Sequence, residues 1–158
     1  MDNVRSIQDL VAAHPLLADL PSADHQLIAG CGRNVHFRPG QLLFREGEPA
    51  DHFYLVRSGR IAVELVEPGR PPLVITTVDP GGIVGWSWLF PPYEWRFDAR
   101  TLGEVGAVEL DGACLRQKCE ADHDLGYELM KRFAQLAIDH LQTARIQLLD
   151  LYANPGTP

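Results

Sequence analysis

Residues 34–65 read NVHFRPGQLLFREGEPADHFYLVRSGRIAVEL, and their period decides the fold. Val35 and Phe37 alternate with His36 and Arg38, and Phe53 and Leu55 alternate with Tyr54 and Val56. Ile61, Val63 and Leu65 share one face. A period of two sends successive side chains to opposite faces of a strand, so these are strand runs. Pro39-Gly40, Gly47-Glu48-Pro49 and Ser58-Gly59 separate them at close intervals, supplying fixed φ and positive φ where the chain reverses. The same punctuation continues outward at Pro68-Gly69 and Pro80-Gly81-Gly82, with further strands expected over Leu73–Val78 and around Ala99–Leu110. Short strands with regular Gly/Pro turns predict a mainly β sandwich or barrel rather than an α/β fold.

On either side the period is helical. Ile7, Leu10 and Val11 recur at helix spacing, and Pro15 and Pro21 interrupt them, so short helices are expected from about Val4 to Cys31. Ser22 is the expected N-cap of the segment carrying Leu27 and Ile28. After the strands, Asp111 is placed to cap a short helix over Ala113–Cys119. Asp122 is placed to cap a long one ending near Tyr152, with Asn154-Pro155-Gly156 as its stop. That last helix carries two apolar stripes. Leu125, Leu129, Phe133 and Leu136 form the first, expected to pack on the barrel. Met130, Ala134, Ala137, Leu141, Ala144, Leu148 and Leu151 form the second, in alternating steps of four and three. Such a repeat is a coiled-coil seam, so a homodimer through this helix is expected; the alternative is a wide helix buried within one domain.

Composition narrows the function. The chain has 158 residues and a net charge of -7, with Arg and Lys scattered, which disfavours a nucleic-acid partner. One domain is expected over 1–158, with N-terminal helices in 1–33, the barrel in 34–111 and C-terminal helices in 112–152. Met1-Asp2-Asn3 does not open a signal peptide, and no apolar run is long enough for a bilayer. Cys31, Cys114 and Cys119 are odd in number and lack metal-site spacing, which suggests reduced, buried thiols in a cytoplasmic protein.

Gly81–Thr101 is the stretch that must carry any function. It reads GGIVGWSWLFPPYEWRFDART, with Trp86, Trp88, Phe90, Tyr93, Trp95 and Phe97 at its centre and Arg96, Asp98 and Arg100 at its end. Rings left in water forfeit a large burial term, so the barrel, a ligand or a partner must cover them.

Phe37–Val63, with its paired aromatics, Glu46, Gly47 and Gly59 at fixed spacing, resembles the first half of a cyclic nucleotide-binding domain. This is the module of catabolite-activator regulators, protein kinase A regulatory subunits and cyclic-nucleotide-gated channels. The resemblance implies an eight-stranded jelly-roll barrel with N-terminal helices and a long C-terminal dimerisation helix. It makes Asp79–Gly85 the entrance to a phosphate-binding cassette spanning 81–101. The ligand-contact candidates carried over are Gly85, Trp86, Ser87, Trp88, Arg96 and Arg100. Several of these depart from the pattern. Trp86 stands where the family has a ribose-binding Glu, and Trp88 where a small residue makes room for phosphate. Phe97 and Asp98 replace small residues after the arginine. Counted from Gly85 the family's arginine falls on Arg96; counted back from Val105–Asp111 it falls on Trp95. Losing the ribose acceptor and filling volume with indole both argue against ordinary cAMP or cGMP recognition.

Four functions are compatible with a chain of this kind to different degrees. A regulatory sensor dimer would bind a cyclic nucleotide or another small anionic or aromatic ligand through Arg96 and the indoles. An interaction scaffold would have its pocket filled by tryptophans and would dock a protein partner. Against the sensor, Arg96 and Arg100 would merely pair with Asp98 and Glu94; against the scaffold, the rings would simply be core. An enzyme is disfavoured, because His14, His25, His36, His52, His123 and His140 are dispersed and Gly85-Trp86-Ser87-Trp88-Leu89 is no nucleophile elbow. No resident metal or cofactor is expected. DNA binding by this chain is not expected, since no helix-turn-helix follows the long helix.

Overall fold

A computed structural model describes residues 6–153. The expectations at Met1-Asp2-Asn3, at Val4 and at Asn154-Pro155-Gly156 therefore lie outside the described residues. Two short helices, α1 (Ile7–Ala13) and α2 (Ser22–Ala29), precede the strands. These are β1 (Gly32–Phe37), β2 (Leu42–Phe44), β3 (His52–Ser58), β4 (Ile61–Leu65), β5 (Leu73–Val78), β6 (Ile83–Val84), β7 (Asp98–Thr101) and β8 (Val105–Asp111). Helices α3 (Gly112–Ala121) and α4 (His123–Ala153) close the described chain. The strands pair as two antiparallel sheets, in the orders β1-β8-β3-β6 and β2-β7-β4-β5. This is a mainly β fold, with strands distributed between sheets as in a two-sheet jelly roll.

Capping holds up at two of the three expected positions, Asp111 and Asp122, and Ser6 adds a cap that the sequence reading did not name. Asp111 accepts the Cys114 N–H at 2.9 Å, Asp122 accepts that of Leu125 at 3.2 Å, and Ser6 accepts that of Asp9 at 3.1 Å. Ser22 is a correction: Pro21 takes the N-cap position, Ser22 is the first helical residue, and no side chain caps α2. Proline's fixed φ near -60° suits that boundary, and the chain reaches the helix one residue earlier than the serine suggested.

The strict in/out alternation also fails where two layers cover one sheet. Phe53, Tyr54, Leu55 and Val56 are all buried, because Phe53 packs on Trp88 and Phe133 while Tyr54 meets Phe37 edge-on. In β4, Ile61 to Glu64 are buried and only Leu65 is exposed. A strand covered on both faces reads as a continuous apolar run.

The cysteines are a second correction. Cys31 and Cys114 form a disulfide with Cα atoms 5.7 Å apart, leaving Cys119 as the free thiol. Sequence spacing could not show this, since 83 positions separate the pair. Antiparallel pairing of β1 with β8 sets Gly32 opposite Leu110, so the residues flanking that end of the ladder meet. The Asp111 N–H donates to the Cys31 carbonyl at 2.9 Å and closes the same corner.

Helix α4 docks by its first stripe: Leu125, Leu129 and Phe133 are buried and Leu136 is partly so. Arg132 pins it to the loop before α2, donating to the Leu16 carbonyl at 2.9 Å and pairing with Asp19 at 2.7 Å and with Glu128. From Ala137 onward every described residue of α4 is exposed. No helix of the described residues is long and apolar enough to cross a membrane. Asp111→Ala removes the α3 cap and should lower unfolding free energy by about 1 kcal/mol, read as a reduced urea midpoint with an unchanged slope; an unchanged midpoint would contradict the capping role.

Candidate functional site

The cassette is anchored before it begins. The Gly81 N–H donates to the Val56 carbonyl at 2.9 Å, and the Val56 N–H donates to the Gly82 carbonyl at 3.0 Å. His14 adds a tie from α1. Its Nδ1 accepts the Leu16 N–H at 3.2 Å, so the proton sits on Nε2, 3.1 Å from the Gly82 carbonyl. Burial lowers the pKa of this imidazole, favouring the neutral ring that the two contacts require. After β6, Gly85 turns the chain at φ 95° into a single 3₁₀ turn, Ser87–Leu89. The cis Pro91–Pro92 bond and Tyr93 at φ 57° then bring it back beside residues 47–50. There Trp95 donates its N–H to the Glu48 carbonyl at 2.9 Å and accepts from Gly47 at 2.8 Å.

The three indoles go to three places. Trp95 turns inward, 3% exposed, and stacks on Phe44 with centroids 3.8 Å apart and planes 9° apart. A Cβ at Gly85 would fall on the six-membered ring of Trp95, so the indole lies directly beneath the cassette entrance. Trp88 is fully buried, stacked on Phe53 at 4.4 Å and edge-on to Phe133 of α4 at 5.5 Å. Trp86 is half-buried and meets His140 of α4 edge-on at 5.0 Å.

The charges separate likewise. Arg100 pairs with buried Glu64 at 3.3 Å and donates to the Gly40 carbonyl at 3.2 Å, which places it in the β2-β7-β4-β5 sheet. Asp98 is buried and accepts the Glu46 N–H at 2.8 Å. Neither pairs with Arg96 or Glu94, so the expected ion pairs among these four residues are corrected: backbone and β4 supply the partners. Arg96 is exposed and makes no hydrogen bond or ion pair with the described residues.

Trp86, Ser87 and Arg96 instead line a cavity of about 300 Å³ with Met130, Ala134 and Ala137 of α4. Leu89, Phe90 and the two prolines complete its apolar wall, and Glu94 stands beside Arg96. The structure thus joins half of the cassette candidates to the first part of the expected helix seam. Gly85, Trp88 and Arg100 lie outside that cavity, as do Leu141, Ala144, Leu148 and Leu151 further along α4. Sequence reasoning overlooked Phe44, Glu64 and Arg116, and placed Phe133 only in the stripe that docks the last helix. A period-two reading of Trp95, Phe97 and Ala99, in phase across the start of β7, would have sent Trp95 to the interior.

Gly85→Ala should cost at least about 2 kcal/mol, from the added Cβ and the positive φ together. In a Trp95→Leu background the cost should shrink, giving a coupling above about 0.5 kcal/mol in a denaturation double-mutant cycle; additive costs would refute the contact.

Comparison with known proteins identifies the family of the fold that carries this site. The CRP-like cAMP-activated global transcriptional regulator of Mycobacterium tuberculosis is 29% identical over 101 residues, covering 64% of this chain and 45% of the regulator. Acetyltransferase Pat of Mycolicibacterium smegmatis is 38% identical over 77 residues, 49% of this chain and 22% of the enzyme. The chain thus matches under half the length of these curated relatives. A solved structure from Geobacter metallireducens, of a protein classed as cyclic nucleotide-binding, superposes with a TM-score of 0.76 at 27% identity. That match covers 85% of this chain and 97% of the other. The sequence profile of the cyclic nucleotide-binding domain matches residues 34–122, which contain all eight described strands but the first two residues of β1, and with that the chain belongs to the cyclic nucleotide-binding domain family.

Proposed function

We propose that the chain is a non-enzymatic regulatory module of this family, dimeric through α4, whose altered cassette no longer takes ordinary cAMP or cGMP. The observation that carries this reading is Trp95, stacked on Phe44 at 3.8 Å beneath Gly85. An indole packed there occupies interior volume that a nucleotide's sugar and phosphate would need. Displacing it would forfeit burial worth about 2–3 kcal/mol or more before any ligand contact formed. Trp86 and Trp88, which sequence reasoning made the obstruction, contribute differently: they bind the cassette to α4 through His140 and Phe133.

A small aromatic anion is the ligand class that suits what remains. The cassette–α4 cavity is mostly apolar, half-buried Trp86 lines it, and Arg96 keeps its guanidinium free of the described residues. Occupation would press on Met130, Ala134 and Ala137 and so bear on the helix that we assign to the dimer. The interaction-scaffold reading draws on Phe90, 53% exposed beside Pro91–Pro92, which is a ready apolar anchor for a protein partner.

For the dimer the support is α4 itself. Leu141, Leu148 and Leu151 are 60%, 54% and 70% exposed along the part that leaves the domain. Exposed leucines at seam spacing on a helix about 46 Å long call for a covering surface.

Calorimetric titration of the full chain with cAMP and cGMP should give no binding at micromolar levels, whereas 2-naphthoate should bind and lose affinity roughly tenfold on Arg96→Gln; micromolar cAMP binding would overturn the reading. Sedimentation velocity should find dimers for the native chain and monomers for Leu141→Asp and Leu148→Asp; an unchanged species would remove α4 as the interface.

A further inference from the structure

The Cys31–Cys114 disulfide lies at the edge of the core, where both cysteines border an open polar cleft. The cleft, about 450 Å³, is lined by both cysteines together with Arg33, His52, Glu109 and Asp111. Cys31 is nearly covered, but Cys114 is half-buried, so its sulfur is the one a small thiol can approach. A disulfide open to solvent is more readily reduced than an enclosed one.

What the bond holds is informative. Cys114 is in the first turn of α3, and that turn is clamped between two partners. On one side the disulfide ties it to the α2–β1 junction. On the other, Gly112 is packed so closely that a Cβ would come within 2.9 Å of the Trp88 Cβ. Arg116, two residues beyond Cys114, donates to the Trp88 carbonyl and lies over the Tyr93 ring at 4.1 Å. The cassette therefore grips this helical turn at both ends of a five-residue span, Gly112 and Arg116, and the disulfide grips it at the middle, Cys114.

We propose that Cys31–Cys114 is a reversible thiol–disulfide exchange site, and that its redox state sets how firmly α3 holds the cassette. The reductant is a low-molecular-weight thiol of the glutathione class. Its thiolate attacks the Cys114 Sγ, a mixed disulfide forms, and the Cys31 sulfur leaves as a thiolate that takes a proton from water. A second reductant thiolate attacks the reductant's sulfur in the mixed disulfide and releases Cys114 as a thiolate, likewise protonated. Two reductant thiols become one disulfide, and the protein gains two electrons and two protons. Reoxidation runs the same steps backward, with Cys114 as the entry sulfur. This inference needs no ligand in the cassette, so it stands or falls apart from the nucleotide question.

The test uses the full chain equilibrated in glutathione buffers of varied ratio, acid-quenched, alkylated and weighed. One free thiol, Cys119, should be counted under oxidising conditions and three under reducing conditions, with a single two-electron midpoint. Hydrogen exchange should then be at least threefold faster in residues 86–93 and 112–117 of the reduced form. Cys119→Ser should lower each thiol count by one and leave the midpoint and the exchange difference unchanged. Cys31→Ser should trap one glutathione on Cys114 in oxidised glutathione. Three alkylated thiols in the most oxidising buffer would overturn the proposal, as would equal exchange in the two redox states or an adduct absent from Cys114. The redox titration of the native chain decides the matter even if a cysteine variant fails to fold.

Discussion

Trp88 is the contact on which the remaining architecture depends. One fully buried indole touches the β1-β8-β3-β6 sheet through Phe53, α4 through Phe133, and α3 through the close approach of Gly112. Burying an indole of this size stabilises the fold by several kcal/mol, at about 25 cal/mol per Å². The arrangement has one visible cost: the Trp88 Nε1 is buried without a hydrogen-bond partner among the described residues, a defect worth about 1–3 kcal/mol. Burial outweighs it. Sheet, cassette and both C-terminal helices are consequently packed as one body around a single ring.

A second constraint is how buried charge is satisfied. Glu64, Asp98 and Glu109 are all buried carboxylates, and two solutions serve them, an arginine ion pair or a backbone N–H. Glu64 faces Arg100, Asp98 takes the Glu46 N–H, and Glu109 accepts from Arg33 at 2.7 Å. Burial and the neighbouring Glu109 charge both push the Tyr54 phenol well above its usual range, keeping it a neutral donor. Arg100 and Asp98 are thereby committed to the framework. Among the arginines of the 81–101 stretch, Arg96 is left for chemistry.

Family membership and the proposed loss of ordinary nucleotide binding are therefore compatible. The strands that define the family are retained, because their pairing depends on glycine turns and apolar runs that do not involve a ligand. On the proposed reading, what differs lies in one segment, where aromatic side chains would supply from within the chain the packing that a bound molecule would otherwise provide.

The sequence by itself determined the mainly β fold, the helices at either end, the capping aspartates and the stripe by which α4 docks. Each is a local property: a period, a turn residue or a cap reports its own conformation within a few residues. Only the tertiary structure decided that Trp95 rather than Trp86 fills the space under Gly85, that Arg100 belongs to Glu64, and that Cys31 meets Cys114. Those facts depend on strand register and sheet order, which bring together residues tens of positions apart. No spacing along the chain encodes such a meeting, because a side chain is directed inward or outward by what packs against it.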